Sequence, residues 1–225
     1  MSSNELNFSQ QRNFISPKEV RAVHLLGAGS VGSHVASMLA RIGVTDLTVW
    51  DHDSIDSHNI GPSLYGRSDY GKYKVDALAA TILRDTGVVV KTERRKYEGE
   101  AIKGSVVCCV DTMEARQTIW RIVKKNPFVD ILIDTRVAEE FFQVFTIRPC
   151  KVEDIAHYEH YLSYDSSHAA RQMCGLHSII YISSAVAAEA VKGLAKFWKS
   201  GRTEYAHLER NESEVFVYPQ PIKEN

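Results

Sequence analysis

One stretch constrains this chain more than any other: the run from Val23 to Lys74. The apolar residues Val23–Leu26 lead into Gly27-Ala28-Gly29-Ser30-Val31-Gly32, and an apolar-periodic segment follows at once. That order predicts a strand, a glycine turn and a helix N-terminus. Gly27 permits the tight turn, Gly29 lets backbone approach a phosphate, and Gly32 allows close helix–strand packing. The unpaired amides and positive dipole end of such a helix form an anion site, with Ser30 in its first turn. A second apolar strand, Leu47–Trp50, ends in Asp51, where an acidic residue takes a ribose hydroxyl. The stretch reads as a nucleotide site.

The 225 residues suit one α/β domain spanning 1–225, with residues 1–15 as a polar, loosely ordered lead-in. A formal net charge of -1 argues against a dedicated nucleic-acid or membrane-surface binder. The polar start is no signal peptide and no apolar run reaches membrane-spanning length, so the expected location is cytoplasmic. The 4 cysteines include no CxxC pair, and no zinc is expected. Cys108 and Cys109 read as small buried hydrophobes on a strand. Cys174 has the least core-like setting and is the candidate working thiol. His157, His160, His168 and His177 lack a tight ligand spacing and read as surface or packing residues.

Along the chain, Ser16-Pro17-Lys18-Glu19 predicts a short first helix. Strands are expected at Ala22–Leu26, at Leu47–Trp50, and from Val88–Val90 on through Lys91–Tyr97. Further strands are expected at Val106–Val110 and Ile131–Asp134. Helices are expected at Val31–Arg41, Tyr73–Thr86 and Met113–Lys125. The alternation gives a Rossmann-like, mostly parallel sheet with helices on both faces. Phe142–Ile147 has strand character with no helix before it, so the sheet becomes mixed in the C-terminal part. Residues Pro149–Cys174 show no clear periodicity. A long apolar helix follows over Ser178–Trp198, then two short strands at Tyr205–Leu208 and Val215–Tyr218.

The motif set resembles the ThiF/MoeB/E1-like superfamily, adenylating enzymes that activate ubiquitin-like and sulfur-carrier proteins. The resemblance runs through GAGSVGS, the D-x-D of Asp51 and Asp53, Asn59, Gly71-x-x-Lys74, Asp111 with Arg116, and AVAAEAVKGL in the late helix. It implies ATP and Mg2+, and a carboxylate, the C-terminus of a small carrier protein or peptide, attacking the α-phosphate. By this resemblance Gly27, Gly29, Ser30, Gly32, Asp51, Asp53, Asn59 and Lys74 bind nucleotide, and Lys74 and Asp111 act in catalysis, Asp111 on magnesium. A homodimer is implied as well. The family's Asn-x-x-Arg-Gln loop reads Asn59-Ile60-Gly61-Pro62-Ser63 here, with proline in place of a phosphate-binding arginine. Arg67 in the same loop and Arg136 after strand five are the candidate cations, and Arg12 the candidate for an arginine reaching a partner subunit. Two other readings stay open: a non-catalytic scaffold subunit of the same fold, and an NAD-dependent oxidoreductase suggested by Tyr70-x-x-x-Lys74.

Overall fold

The structure is a computed structural model, and it describes residues 6–138, 141–163, 179–210 and 214–219. Cys174, His168 and His177 lie outside the described residues. Eight strands form one sheet in the order β3-β2-β1-β4-β5-β6-β7-β8. They are β1 (Val23–Leu26), β2 (Leu47–Trp50), β3 (Lys91–Glu93), β4 (Gly104–Cys108), β5 (Val129–Ala138), β6 (Phe141–Ile147), β7 (His207–Arg210) and β8 (Val215–Tyr218). The first five run parallel, and β6, β7 and β8 are antiparallel additions. The mixed α/β sheet expected from the sequence is present.

The helices are α1 (Ser30–Arg41), α2 (Ser57–Ile60), α3 (Lys74–Thr86), α4 (Met113–Val123), α5 (Val152–Leu162) and α6 (Ile180–Ser200). One apolar core joins α1, α3 and α6 to a face of the sheet, through Val35, Leu39, Leu78, Val186 and Leu194 against Leu25, Val49 and Val144. The other joins α4 and α5 to the opposite face, through Ile119, Trp120, Tyr158 and Leu162 against Val106, Leu132 and Phe145. Burying each such side chain contributes roughly 1.5–3 kcal/mol. That two-sided burial explains why the central parallel strands β1, β2 and β4 are buried along their length instead of alternating, while the edge strand β3, Lys91-Thr92-Glu93, is polar.

β4 and β7 are shifted by two residues from the expected Val106–Val110 and Tyr205–Leu208, and four further elements depart from expectation. Residues 16–19 make a single turn, in which Ser16 N donates to Glu19 Oε2 at 2.7 Å, and no helix follows. The third strand begins at Lys91, because Val88 and Val90 are buried in the connection from α3 and the ladder pairs Thr48 with Lys91. β5 runs on past Asp134 to Ala138, since residues 132–138 pair antiparallel with β6. Within Pro149–Cys174, α5 forms without an aliphatic stripe. Its buried positions are Asp154, Tyr158 and Leu162, four apart, and Asp154 is held by Arg148 Nε at 2.7 Å. Residues 6–15 lie on the body of the fold, with Ile15 buried and Gln11 Nε2 donating to Ile42 O at 2.9 Å.

Candidate functional site

Parallel strands bring the C-terminal ends of β1, β2, β3 and β4 to one edge, where an open α/β sheet binds ligands. A cavity of about 540 Å³ opens there. Its walls are Gly27 and Gly29 after β1, Trp50–Asp53 at the end of β2, Arg95–Glu98 after β3, Cys109–Thr112 of the β4–α4 turn and Ile119 of α4. Lys74 completes it from the start of α3.

The glycine turn is shaped by its contacts. Gly27 has φ +98°, and a Cβ on it would meet Cys109 O at 2.5 Å. A Cβ on Gly32 would meet Gly27 O at 2.0 Å, so α1 packs against the turn at backbone distance. Gly29 differs: a Cβ there meets nothing within 4 Å, and the residue lines the cavity. The first bond of α1 runs from Ser33 N to Gly29 O at 3.0 Å, leaving the amides of Ser30, Val31 and Gly32 ahead of the ladder. No side chain caps α1, and no acidic residue occupies its first turn. The positive end of the helix dipole is therefore not neutralised locally.

Asp51 ties the turn to β2. Its Oδ2 accepts from Ala28 N at 2.7 Å and its Oδ1 from Asp53 N at 2.8 Å. Asp53 in turn holds Lys74, with Nζ at 2.7 Å from Oδ2 and Lys74 N donating to Asp53 O at 3.0 Å. Lys74 is 8% exposed, so its charge is fixed in position. Burial alone would raise the Asp53 carboxyl, but the hydrogen bond and charge of Lys74 outweigh it and hold the pKa below the usual value. Asp111, three residues past β4, is exposed on the cavity wall with no hydrogen-bond partner among the described residues. The N-cap of α4 is its neighbour Thr112, which accepts from Ala115 N at 3.3 Å.

The remaining candidates lie elsewhere. Asn59 is half-buried and closes the capping box of α2, its Oδ1 accepting from Asp56 N at 2.9 Å. Arg67 is exposed on a short 3₁₀ turn (Arg67–Asp69) and does not line the cavity. Arg136 is buried under α5, with Nε at 2.9 Å from Asp134 Oδ2 and its guanidinium 4.4 Å over the Phe145 ring. Arg116 donates to the other oxygen of Asp134, and Tyr158 OH to Oδ2 at 3.1 Å. This arrangement is a buried structural cluster. Tyr70 is 64% exposed and off the cavity, so the Tyr70/Lys74 pair does not assemble. Arg12 is exposed in the turns of the N-terminal segment.

Sequence reasoning missed the wall formed after β3. Tyr97 packs edge-on against Trp50, ring centroids 5.4 Å apart, and Arg95 lies 5.2 Å over the Trp50 ring. The available signal was topological: the polar Lys91–Tyr97 stretch leaves a strand end on the ligand edge. Cys109 keeps some exposure in the cavity wall, yet the protein packed around its thiol pushes the pKa up to about 12. It is no thiolate nucleophile at neutral pH. Ligand atoms of Asp51, His52 and Asp53 lie within 4.8 Å of one another. With both oxygens of Asp51 accepting amides and Asp53 on Lys74, that trio serves the loop rather than a metal.

These features define a nucleotide-type α/β protein with its ligand edge between the glycine turn, a fixed lysine and an exposed aspartate. The chain belongs to the ThiF family, which matches over residues 18–219. It is similar to ubiquitin-like modifier-activating enzyme 5 of Bombyx mori, 30% identical over 117 residues, or 44% of this chain and 30% of that protein. The Drosophila melanogaster counterpart is 31% identical over 133 residues, 49% of this chain and 33% of the relative. The matches thus span about a third of the relatives' length. Among solved structures, E. coli MccB with ATP superimposes with TM-score 0.72 at 15% identity, covering 91% of this chain and 65% of that one. PaaA does so with TM-score 0.68 at 17% identity, covering 91% and 65%. No helix among the described residues is long and apolar enough to cross a membrane.

Proposed function

We propose that this protein is an ATP-dependent adenylyltransferase. It activates the C-terminal carboxylate of a small ubiquitin-like or carrier protein, or of a peptide, as an acyl-adenylate. The observation that carries the reading is one cavity holding the uncapped start of α1, the fixed cation of Lys74 and the exposed carboxylate of Asp111. Family membership supports it, as do relatives that activate ubiquitin-like modifiers and a fold neighbour crystallised with ATP.

In this reading the amides of Ser30–Gly32 face the phosphates and Asp51 takes a ribose hydroxyl. Lys74 stabilises charge on the phosphate chain as the carboxylate attacks the α-phosphorus and the bond to the bridging oxygen breaks, releasing pyrophosphate. A carboxylate is already a nucleophile at neutral pH, so the protein contributes positioning and fixed charge more than proton transfer. Magnesium, a hard cation bound by one or two carboxylates, waters and phosphates, fits the exposed and uncommitted Asp111, and it supplies neutralisation of the phosphates when bound. Gly29 leaves room for the ligand backbone-close, since a Cβ there would enter open space. By the family resemblance, the reading extends to a homodimer acting in the cytoplasm.

Pro62 favours a second reading, a scaffold subunit of the same fold. Its carbonyl lies 3.3 Å from His34 Nε2, and the loop brings no cation to the cavity from that position. Calorimetric titration with Mg-ATP, followed by pyrophosphate release with candidate carrier proteins and peptides, separates the two. ATP binding lost in Lys74→Ala, and pyrophosphate release lost in Asp111→Asn, are the expected results. A folded protein that binds no ATP would leave the scaffold reading.

A further inference from the structure

Three lysine or arginine side chains line the cavity, Lys74, Arg95 and Lys96, beside the imidazole of His52, which lies 3.3 Å from Asp53 Oδ1. Two are committed within the protein. Lys74 Nζ sits 2.7 Å from Asp53, and Arg95 is held by Glu93 at 3.0 Å and Glu100 at 2.6 Å while its plane covers Trp50. Lys96 is exposed and has no carboxylate within ion-pair distance among the described residues. It is also near enough to Asp53, the carboxylate that fixes Lys74, for its charge to act on that group. The loop that ends in Lys74 offers nothing comparable. Pro62 has no charge, and Arg67 lies off the cavity wall.

We propose that Lys96 contacts the phosphate chain of the bound nucleotide, supplying the second cation that the Pro62 loop does not bring. The proposal rests on the ATP reading above and assigns a binding residue to that same site. An ammonium on a flexible stem delivers a point charge to a phosphate without preset geometry, which suits an exposed loop position. A free cation keeps its whole charge for the ligand, whereas Lys74 and Arg95 share theirs with carboxylates. Neutralising a polyphosphate held beside Asp53 and Asp111 calls for such a charge.

The test is calorimetric titration of the full chain and of Lys96→Gln and Lys96→Arg with adenosine and with Mg-ATP. Lys96→Gln should weaken ATP binding roughly tenfold, the scale of one hydrogen bond to a charged group, while adenosine affinity changes less than about twofold. Lys96→Arg should bind ATP within about threefold of the unaltered protein. Thermal melts establish that each variant folds. An equal loss for adenosine and ATP would overturn the proposal, because the side chain would then shape the wall rather than meet phosphate. Unchanged ATP affinity in Lys96→Gln would overturn it too. If the unaltered chain binds adenosine but not ATP, or neither, the ATP reading itself falls, and that result is distinct because it appears before any substitution.

Discussion

Gly29 and Gly32 sit three residues apart in one turn and answer to different constraints. At Gly32 a methyl group would meet a carbonyl oxygen at 2.0 Å, so Gly32→Ala must push α1 off the turn. Overpacking of that kind costs about 1–3 kcal/mol or more, read as a lowered midpoint in urea unfolding. At Gly29 the same methyl meets no atom within 4 Å, so Gly29→Ala should keep stability within about 0.5 kcal/mol. Its expected effect falls on ATP affinity, because the methyl enters the ligand's space. If Gly29→Ala unfolds the protein instead, the cavity assignment at this position fails. The glycine turn and Asp51 were legible in the sequence because their relation is local: a strand, a turn, a helix and the next strand end. Arg136 was not. Whether an arginine after a strand meets substrate or a buried carboxylate depends on what packs over it. Here α5 and Asp134 decide, through Tyr158 and a doubly bonded carboxylate.

Elements with a clear apolar run or period stand where the sequence puts them: Leu47–Trp50 matches to the residue, and α1 and α3 to within one. α5 escaped notice because two of its three inward positions are Asp154 and Tyr158, which satisfy polar partners instead of forming an aliphatic stripe. This helix and the antiparallel strands enclose a titratable element. His207 on β7 is fully buried, stacked between Phe145 at 4.1 Å and Tyr218 at 4.6 Å. Its Nε2 lies 3.0 Å from Glu209 Oε1 without the alignment of a hydrogen bond, and His157 and Arg136 are close by. Burial first, then the charges of His157 and Arg136, lower its pKa from 6.5 to about 3. The unfolded chain thus binds a proton below pH 6.5 that the fold refuses until about pH 3. Stability should be complete above that upper value and fall with acidification, at up to about 1.4 kcal/mol per pH unit for this one group. His207→Phe keeps the stacked ring and removes the proton site. Urea unfolding between pH 7 and 5 should show a shallower acid loss in that variant, and identical slopes would assign the loss to other groups.

For the molecule as a whole, topology was readable from the βα alternation, which fixes parallel neighbours and so the edge where open α/β sheets bind ligands. What topology alone could not show is that the cavity draws on four strand ends and on both cores. Leu26, Trp50 and Ile119 of the α4/α5 core line it, while the α1 and α3 termini enter it from the other face. A ligand in that position contacts segments that must all be folded together, so it binds the native state alone and stabilises it by mass action. At a hundredfold excess over Kd the gain is about 2.7 kcal/mol. For a domain of this size each kcal/mol shifts the melting temperature by about 2–4 °C, so saturating Mg-ATP should raise Tm by about 5–10 °C. The transition should move as one, with near- and far-UV circular dichroism coincident, because no part of the cavity belongs to a separate unit. Lys74→Ala should abolish most of the shift while adenosine still produces a smaller one. A rise seen by one probe alone, or an ATP shift that survives Lys74→Ala undiminished, would mean that the nucleotide is held somewhere other than this strand-end cavity.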